Sequence, residues 1–224
     1  MTGKMRKLEI APSILAADFR VLEREVKAAE YAGADRIHCD IMDGVFVPNI
    51  SFGPMIVAAV KKCVAIPLDV HLMIAEPHTY IAAFRDAGAD NITVHADACE
   101  DLPGTLDEIR SGGAQAGVCV NPDKPVSLFA PYLDRVNLVL IMSVFAGFGG
   151  QVFMPETLEK VRELVRIRDA RQLNFSIEID GGINERTAVE SVQAGVDILV
   201  AGSYVFGGED YTKQIGNLRT GIGN

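Results

Sequence analysis

The sequence predicts an α/β fold in which eight βα units close into a parallel (β/α)8 barrel. Three observations point to it. Short apolar runs alternate with amphipathic stretches from Leu8 to the end of the chain, the rhythm of parallel strands joined by crossover helices. A tetrapeptide recurs where a helical pattern gives way to an apolar run, at Ala32-Gly33-Ala34-Asp35, Ala87-Gly88-Ala89-Asp90 and Ala194-Gly195-Val196-Asp197. Glycine there takes the left-handed conformation that stops a helix before the chain enters the sheet. Finally, 224 residues, 49% of them apolar, suit one barrel domain over residues 1–224, with its core at about 8–220. A doubly wound open sheet is the competitor. No G-x-G-x-x-G opens a helix after the first strand, so its dinucleotide-binding form has little support.

The elements follow in order. Residues 8–15 read as the first strand, and 18–32 as a helix with Phe19, Leu22, Val26 and Ala29 on one side. Residues 36–41 and 66–73 are the second and third strands, and Pro77 opens the helix after the third. Residues 91–95, 116–121 and 136–144 are the fourth to sixth strands. The last of these is nearly all apolar, as expected where helices cover a parallel sheet. Pro155 starts a long helix with Leu158, Val161, Leu164 and Val165 at helical spacing, a position where proline costs no hydrogen bond. Residues 174–180 and 197–202 complete the sheet.

Composition narrows the function. The formal charge is -9, which disfavours nucleic acid and anionic membranes as partners. A small anionic substrate remains open, because a local nest of amides can bind a phosphate whatever the net charge. Cys39, Cys63, Cys99 and Cys119 form no C-x-x-C pair and read as lone buried thiols. Neither an apolar leader core before Asp18 nor a spanning stretch is present, so a cytoplasmic location is expected.

The informative residues lie at strand ends. His38 and Asp40 are two apart at the end of the second strand, hence on one face. His71 ends the third, preceded on its face by Asp69, and Asp180 ends the seventh. The C-terminal mouth of a barrel is where such residues converge. His38, Asp40, His71 and Asp180 make a nitrogen/oxygen set for one divalent ion, with Zn, Fe(II), Mn and Co all compatible. Taken singly, each is as well read as a hydrogen-bonded structural residue or a loop cap. His95 reads as a structural or supporting histidine, and His78 as a loop residue.

Glycines cluster after the last three strands: Gly147, Gly149 and Gly150 around Phe148, then Gly181-Gly182, then Gly202-Ser203. Amides unobstructed by a Cβ can turn toward a phosphate there, although one such loop alone would be only a tight turn. Met42, Met73 and Met142 point to the same mouth if alternation persists. By default they are core; at the mouth they would form an apolar rim that excludes water.

Together these residues resemble the ribulose-phosphate 3-epimerase family. The segment His38-Cys39-Asp40-Ile41-Met42-Asp43-Gly44-Val45-Phe46-Val47-Pro48-Asn49 is similar to its signature, as is Asp69-Val70-His71-Leu72-Met73. Ala11-Pro12-Ser13-Ile14-Leu15, Met142-Ser143-Val144 with Gly147 to Gln151, Asp180-Gly181-Gly182-Ile183 and Ala201-Gly202-Ser203 follow in the same register. The resemblance runs from about Ala11 to Phe206. It implies a metal-dependent isomerase of the pentose phosphate pathway that interconverts D-ribulose 5-phosphate and D-xylulose 5-phosphate. It also implies one divalent ion per subunit on His38, Asp40, His71 and Asp180, and an enediolate formed between Asp40 and Asp180 as opposed acid/bases. Ser13, His71 and the three methionines would then meet the substrate, with the glycine loops and Ser203 as the phosphate clamp. Homo-oligomers, dimers or hexamers, occur in such a family.

The sequence departs from that pattern at three places. Phe145-Ala146 stands where the family usually has Asn-Pro or Asp-Pro, Asp97 where a glutamate is common, and Ala16 where a serine is usual. The first change keeps open the same chemistry on a longer sugar, D-allulose 6-phosphate. A non-catalytic sugar-phosphate barrel could dispense with one aspartate, and both are present. A metal-free isomerase or lyase would need a lysine or glutamate base, whereas Lys61 and Lys62 sit within a helical pattern.

Overall fold

Strand parity builds the molecule. The computed structural model describes residues 7–220; residues 1–6, part of the stretch read for a leader, and 221–224 lie outside them. Eight strands, β1 (Glu9–Ala11), β2 (Ile37–Met42), β3 (Leu68–Met73), β4 (Asn91–His95), β5 (Gln115–Val120), β6 (Leu138–Met142), β7 (Ser176–Asp180) and β8 (Ile198–Val200), form one parallel sheet in the order β1-β8-β7-β6-β5-β4-β3-β2. A parallel bridge between Ser13 and His38, with His38 N–H donating to Pro12 O at 3.0 Å, closes the ring between β1 and β2. Helices α1 (Leu22–Tyr31), α2 (Pro54–Lys61), α3 (Ile81–Asp86), α4 (Leu102–Ser111), α5 (Leu158–Ala170), α6 (Glu185–Ala194), α7 (Ser203–Phe206) and α8 (Tyr211–Thr220) surround it. The crossover from β5 to β6 uses short 3-10 turns at Val126–Leu128 and Ala130–Tyr132, and both α7 and α8 follow β8. The repeat is therefore eightfold in strands but uneven in helices. Among the described residues, no helix is long and apolar enough to cross a membrane.

Residues of one parity face the helices: Ile37, Cys39 and Ile41, then Val70 and Leu72, Ile92 and Val94, Val139 and Ile141, and Ile177 and Ile179 belong to one buried core. The other parity fills the barrel. There the chain divides in two. Around β5, β6 and β8 the filling is apolar, with Cys119, Leu138, Leu140, Met142, Ile198 and Val200. Around β2, β3, β4 and β7 it is polar, with His38, Asp69, His71, Asn91, Thr93, His95 and Glu178 at most 2% exposed.

Packing inside the barrel leaves little room. Gly117 sits opposite Thr93, and a Cβ on it would fall 2.1 Å from Thr93 Oγ1 and 2.9 Å from its Cβ. Gly117→Ala is expected to destabilise the fold by about 1–3 kcal/mol, the usual scale of overpacking. Chemical denaturation checks this, and an unchanged midpoint would show that the wall yields freely.

The first strand is shorter than its apolar run suggests. Pro12 has no N–H to give the ladder, and the chain turns into a 3-10 turn at Ile14–Ala16, capped by Ser13 Oγ accepting from Leu15 N–H. Ile14 is apolar because it is core, not because it is strand. The tetrapeptide repeats are as expected at glycine: Gly33, Gly88 and Gly195 have φ of 94°, 100° and 111°. Their aspartates hold the sheet edge. Asp35 accepts from Ile10 N–H at 2.8 Å, Asp90 from Leu68 N–H at 2.7 Å, and Asp197 from Ile177 N–H at 2.8 Å. Each pairs the first free amide of the preceding strand and also meets a cation, Lys7 and Arg219, Lys61, or Arg168. All four cysteines are free, but only Cys39 and Cys119 are buried.

Candidate active site

The register of β2 and β3 assembles the site. His38 lies opposite Asp69, Asp40 opposite His71 and Met42 opposite Met73, all pointing into the barrel. On the far side Met142 lies opposite Asp180, and Asp180 opposite Val200. One ligating atom from each of His38, Asp40, His71 and Asp180 lies within 4.8 Å of the others. Strand order alone would set Asp40 and Asp180 far apart around the rim, yet the structure brings them together. Inward side chains of a small barrel meet near its axis, whatever the distance along the wall.

Hydrogen bonds orient these groups. His38 Nδ1 is 3.1 Å from Asp69 Oδ2, and Asp69 Oδ1 accepts from Asn91 at 2.5 Å. His38 Nε2, which faces Asp40 Oδ1 at 3.4 Å, is buried without a hydrogen-bond partner. Asp40 Oδ2 accepts from Ser13 Oγ at 2.6 Å, and Asp40 Oδ1 lies 3.1 Å from His71 Nδ1. His71 Nε2 is 3.0 Å from His95 Nε2 and 3.4 Å from Cys119 Sγ. His78 is exposed in the turn at Pro77–Tyr80, away from this cluster's strands.

The electrostatics fit a cation. Burial, reinforced by the like charge of Asp40, pushes the Asp180 carboxyl up to about 7. Burial also works against charge on Asp40, but His38 and His71 beside it outweigh this and hold its carboxyl well below the usual range. Burial opposes a proton on His38, yet Asp40 and Asp69 overcome it and raise the ring well above its ordinary value. Burial, offset in part by Asp40, lowers His71, and burial with His71 keeps His95 far below the ordinary range. The field of these carboxylates thus favours positive charge at an orphaned, buried nitrogen. Two imidazoles and two carboxylates at that point are a donor set suited to a divalent metal. The residues fit such an ion.

Above the cluster opens a cavity of about 360 Å³. Ser13, Asp40, Met42, Met73, Met142, Gly147, Phe148, Gly149, Gly150, Asp180, Gly181, Gly182, Gly202 and Ser203 line it. His71 does not: it is fully buried and reaches Asp40 instead of the cavity. Gly147, Gly150, Gly181 and Gly182 have φ of 126°, 72°, 124° and 63°, backbone that a side chain would strain. Gln151 Nε2 donates to the carbonyls of Phe145 and Phe148 at 2.7 and 2.8 Å, tying the glycine loop. Leu15, Ala16, Val144, Phe145, Gln151, Ile183 and Val200 also line the cavity. Most are neighbours of residues singled out by type, and apolar side chains beside a motif carry no chemical signal of their own.

This arrangement can be compared with known proteins. A model of the ribulose-phosphate 3 epimerase family matches residues 9–206. The chain belongs to that family. The ribulose-phosphate 3-epimerase of Bacillus subtilis (strain 168) is 49% identical over 213 residues, covering 95% of this chain and 98% of that protein. The ribulose-phosphate 3-epimerase of Escherichia coli (strain K12) is 41% identical over 217 residues, covering 96% of each. Membership makes this chain an isomerase, an epimerase acting on a pentose phosphate. More distant solved structures share only the fold. A 3-keto-L-gulonate-6-phosphate decarboxylase from Vibrio cholerae superposes with a TM-score of 0.72 at 15% identity, covering 97% of this chain and 98% of that one. A 3-hexulose-6-phosphate synthase does so with a TM-score of 0.66 at 19% identity, covering 97% and 100%. The barrel is thus common to several chemistries, and the residues at its mouth decide which one runs.

Proposed function

We propose that this epimerase interconverts D-ribulose 5-phosphate and D-xylulose 5-phosphate by proton transfer at C3, with Asp40 and Asp180 as the two acid/bases. The observation that carries the reading is the meeting of these carboxylates with His38 and His71 within 4.8 Å, beneath a glycine-lined cavity. The C3 proton lies α to the C2 carbonyl, so its removal leaves charge shared between C3 and the C2 oxygen. One aspartate takes that proton, and the other returns one to the opposite face. The reverse reaction exchanges their roles. Ser13 Oγ donates to Asp40 Oδ2, so the carboxylate is aimed before substrate arrives. His38, Asp40, His71 and Asp180 would hold one divalent ion, Zn, Fe(II), Mn or Co. When bound, it supplies positive charge that stabilises the developing enediolate. Met42, Met73 and Met142 are nearly fully buried around the same point and keep water from it.

The substrate's phosphate belongs against Gly182, Gly202 and Ser203, with the loop at Gly147 to Gly150 beside it. A Cβ on Gly202 would meet Ala16 and Ser13 at 3.4–3.5 Å, so a large residue there would disturb the group that orients Asp40. Ser203, exposed at the start of α7, is the cleaner probe. Ser203→Asp sets a like charge beside the phosphate and is expected to raise KM by about tenfold or more, roughly 1.4 kcal/mol, with metal content unchanged. An unaltered KM would place the phosphate elsewhere. Turnover of D-ribulose 5-phosphate measured beside D-allulose 6-phosphate tests the substrate itself, and preference for the hexose would overturn the pentose reading.

A further inference from the structure

The two histidines of the cluster present different nitrogens to it. His38 turns Nε2 inward and keeps Nδ1 for Asp69 at 3.1 Å. His71 turns Nδ1 inward, 3.1 Å from Asp40 Oδ1, and keeps Nε2 for His95, 3.0 Å away. A ligating imidazole is ordinarily held by a partner on its other nitrogen, commonly a carboxylate or a carbonyl. For His71 that place is taken by a second imidazole. We propose that His95 is a positioning residue of the metal site: its Nε2 accepts the hydrogen bond from His71 Nε2–H, which leaves the His71 Nδ1 lone pair facing the cation.

Counting protons carries the argument, which rests on reading the four-residue cluster as a metal site. A neutral imidazole has one N–H, and a nitrogen that ligates a metal must have its lone pair free. If His71 ligates through Nδ1, its proton is on Nε2. Two nitrogens 3.0 Å apart share one proton, so His95 accepts there and carries its own proton on Nδ1. That atom is buried without a hydrogen-bond partner and looks toward Asp97 Oδ1 at 3.8 Å. The other neighbour of His71 Nε2 is Cys119 Sγ at 3.4 Å, and sulfur is a weak acceptor. The His95 ring has little freedom to turn away. It is fully buried, lies edge to edge with His71 in nearly one plane (centroids 5.1 Å apart, planes at 22°), and packs against Phe46 at 4.7 Å. An imidazole also does this without adding charge. The cluster already holds Asp40, Asp69 and Asp180, and another carboxylate so near would need further compensation.

The test uses the zinc-loaded protein. Long-range proton–nitrogen correlation spectra of the 15N-labelled wild type read which ring nitrogen bears the proton in His71 and His95. The expected pattern is Nε2–H on His71 and Nδ1–H on His95. Zinc affinity, measured by chelator competition, supplies the second readout. His95→Leu removes the acceptor and is expected to weaken zinc about 10–100-fold. His95→Gln sets an amide oxygen near the Nε2 position and is expected to restore affinity to within a few-fold of wild type. Zinc bound with the shared proton on His95 Nε2 overturns the proposal, as does wild-type affinity in His95→Leu, or equal loss in both variants, which would mean packing alone. The wild-type spectrum decides the matter even where His95→Leu fails to fold. A wild type that binds no zinc at the four residues refutes the metal-site reading itself, and is thereby distinguished from failure of the His95 assignment alone.

Discussion

Asp180→Asn is expected to lower turnover by about 10²–10⁴-fold, the scale of one positioned proton transfer. Asparagine keeps the size of the side chain and one oxygen for a metal, and removes the base. Asp40→Asn should cost a similar factor. It also disturbs the two groups that Asp40 organises, Ser13 at 2.6 Å and His71 at 3.1 Å, so a modest loss of stability should accompany it. The two variants should differ in a second way. Each base serves one C3 epimer, so a variant that retains the base for a given epimer still washes out a C3 deuterium from it without inverting the centre. The other variant does neither with that epimer. NMR of deuterium loss from each epimer, with metal content checked alongside, reads this directly. Metal-replete variants of both residues turning over at near wild-type rate would return these aspartates to a structural role.

Stripping the protein with a strong chelator is expected to reduce turnover by at least about 10²-fold, since a Lewis acid at developing oxygen charge is worth several kcal/mol. Adding back Zn, Fe(II), Mn or Co in turn identifies which ions restore it. Elemental analysis of protein prepared without chelator should find one divalent ion per chain. His38→Ala should lose that ion, because His38 Nε2 faces the cluster as a buried nitrogen with no hydrogen-bond partner. Full activity in metal-free protein would defeat this reading outright.

The strands were legible in the sequence for a simple reason. Both faces of a barrel strand are buried, so seven of the eight apolar runs stand out and lie close to the observed elements. The first run misleads at its end, since Ile14 is buried by the turn after Pro12 and no longer belongs to a ladder. The missing helix between β5 and β6 was hidden in the same way: residues such as Val126, Phe129 and Leu133 pack into the core from turns, and a few apolar residues look alike in either state. Glycine at Gly33, Gly88 and Gly195 was readable because it has a local reason, whereas Asp35, Asp90 and Asp197 act on a neighbouring strand some twenty residues away.

The site divides along the same line. The sequence by itself determined which residue types face the barrel: period-two alternation puts His38 with Asp40 and Asp69 with His71, the strand end places Asp180, and runs of glycine mark the loops above them. Those are local facts, written in spacing. Only the tertiary structure decided the distances between strands. It drew Asp40 and Asp180 to within 4.8 Å across the barrel, withdrew His71 from the cavity, and set His95 behind it. It also left His38 Nε2 buried and unpartnered while filling half the barrel with Asp69, Asn91 and Glu178. Glu178 gave no signal in the chain, since a lone acidic residue inside an apolar run is noticed only when closure brings burial and Asp69 against it and raises its carboxyl far above the usual range. Ring closure joins residues more than a hundred positions apart, and no local spacing encodes which side chains will then share a low-dielectric interior.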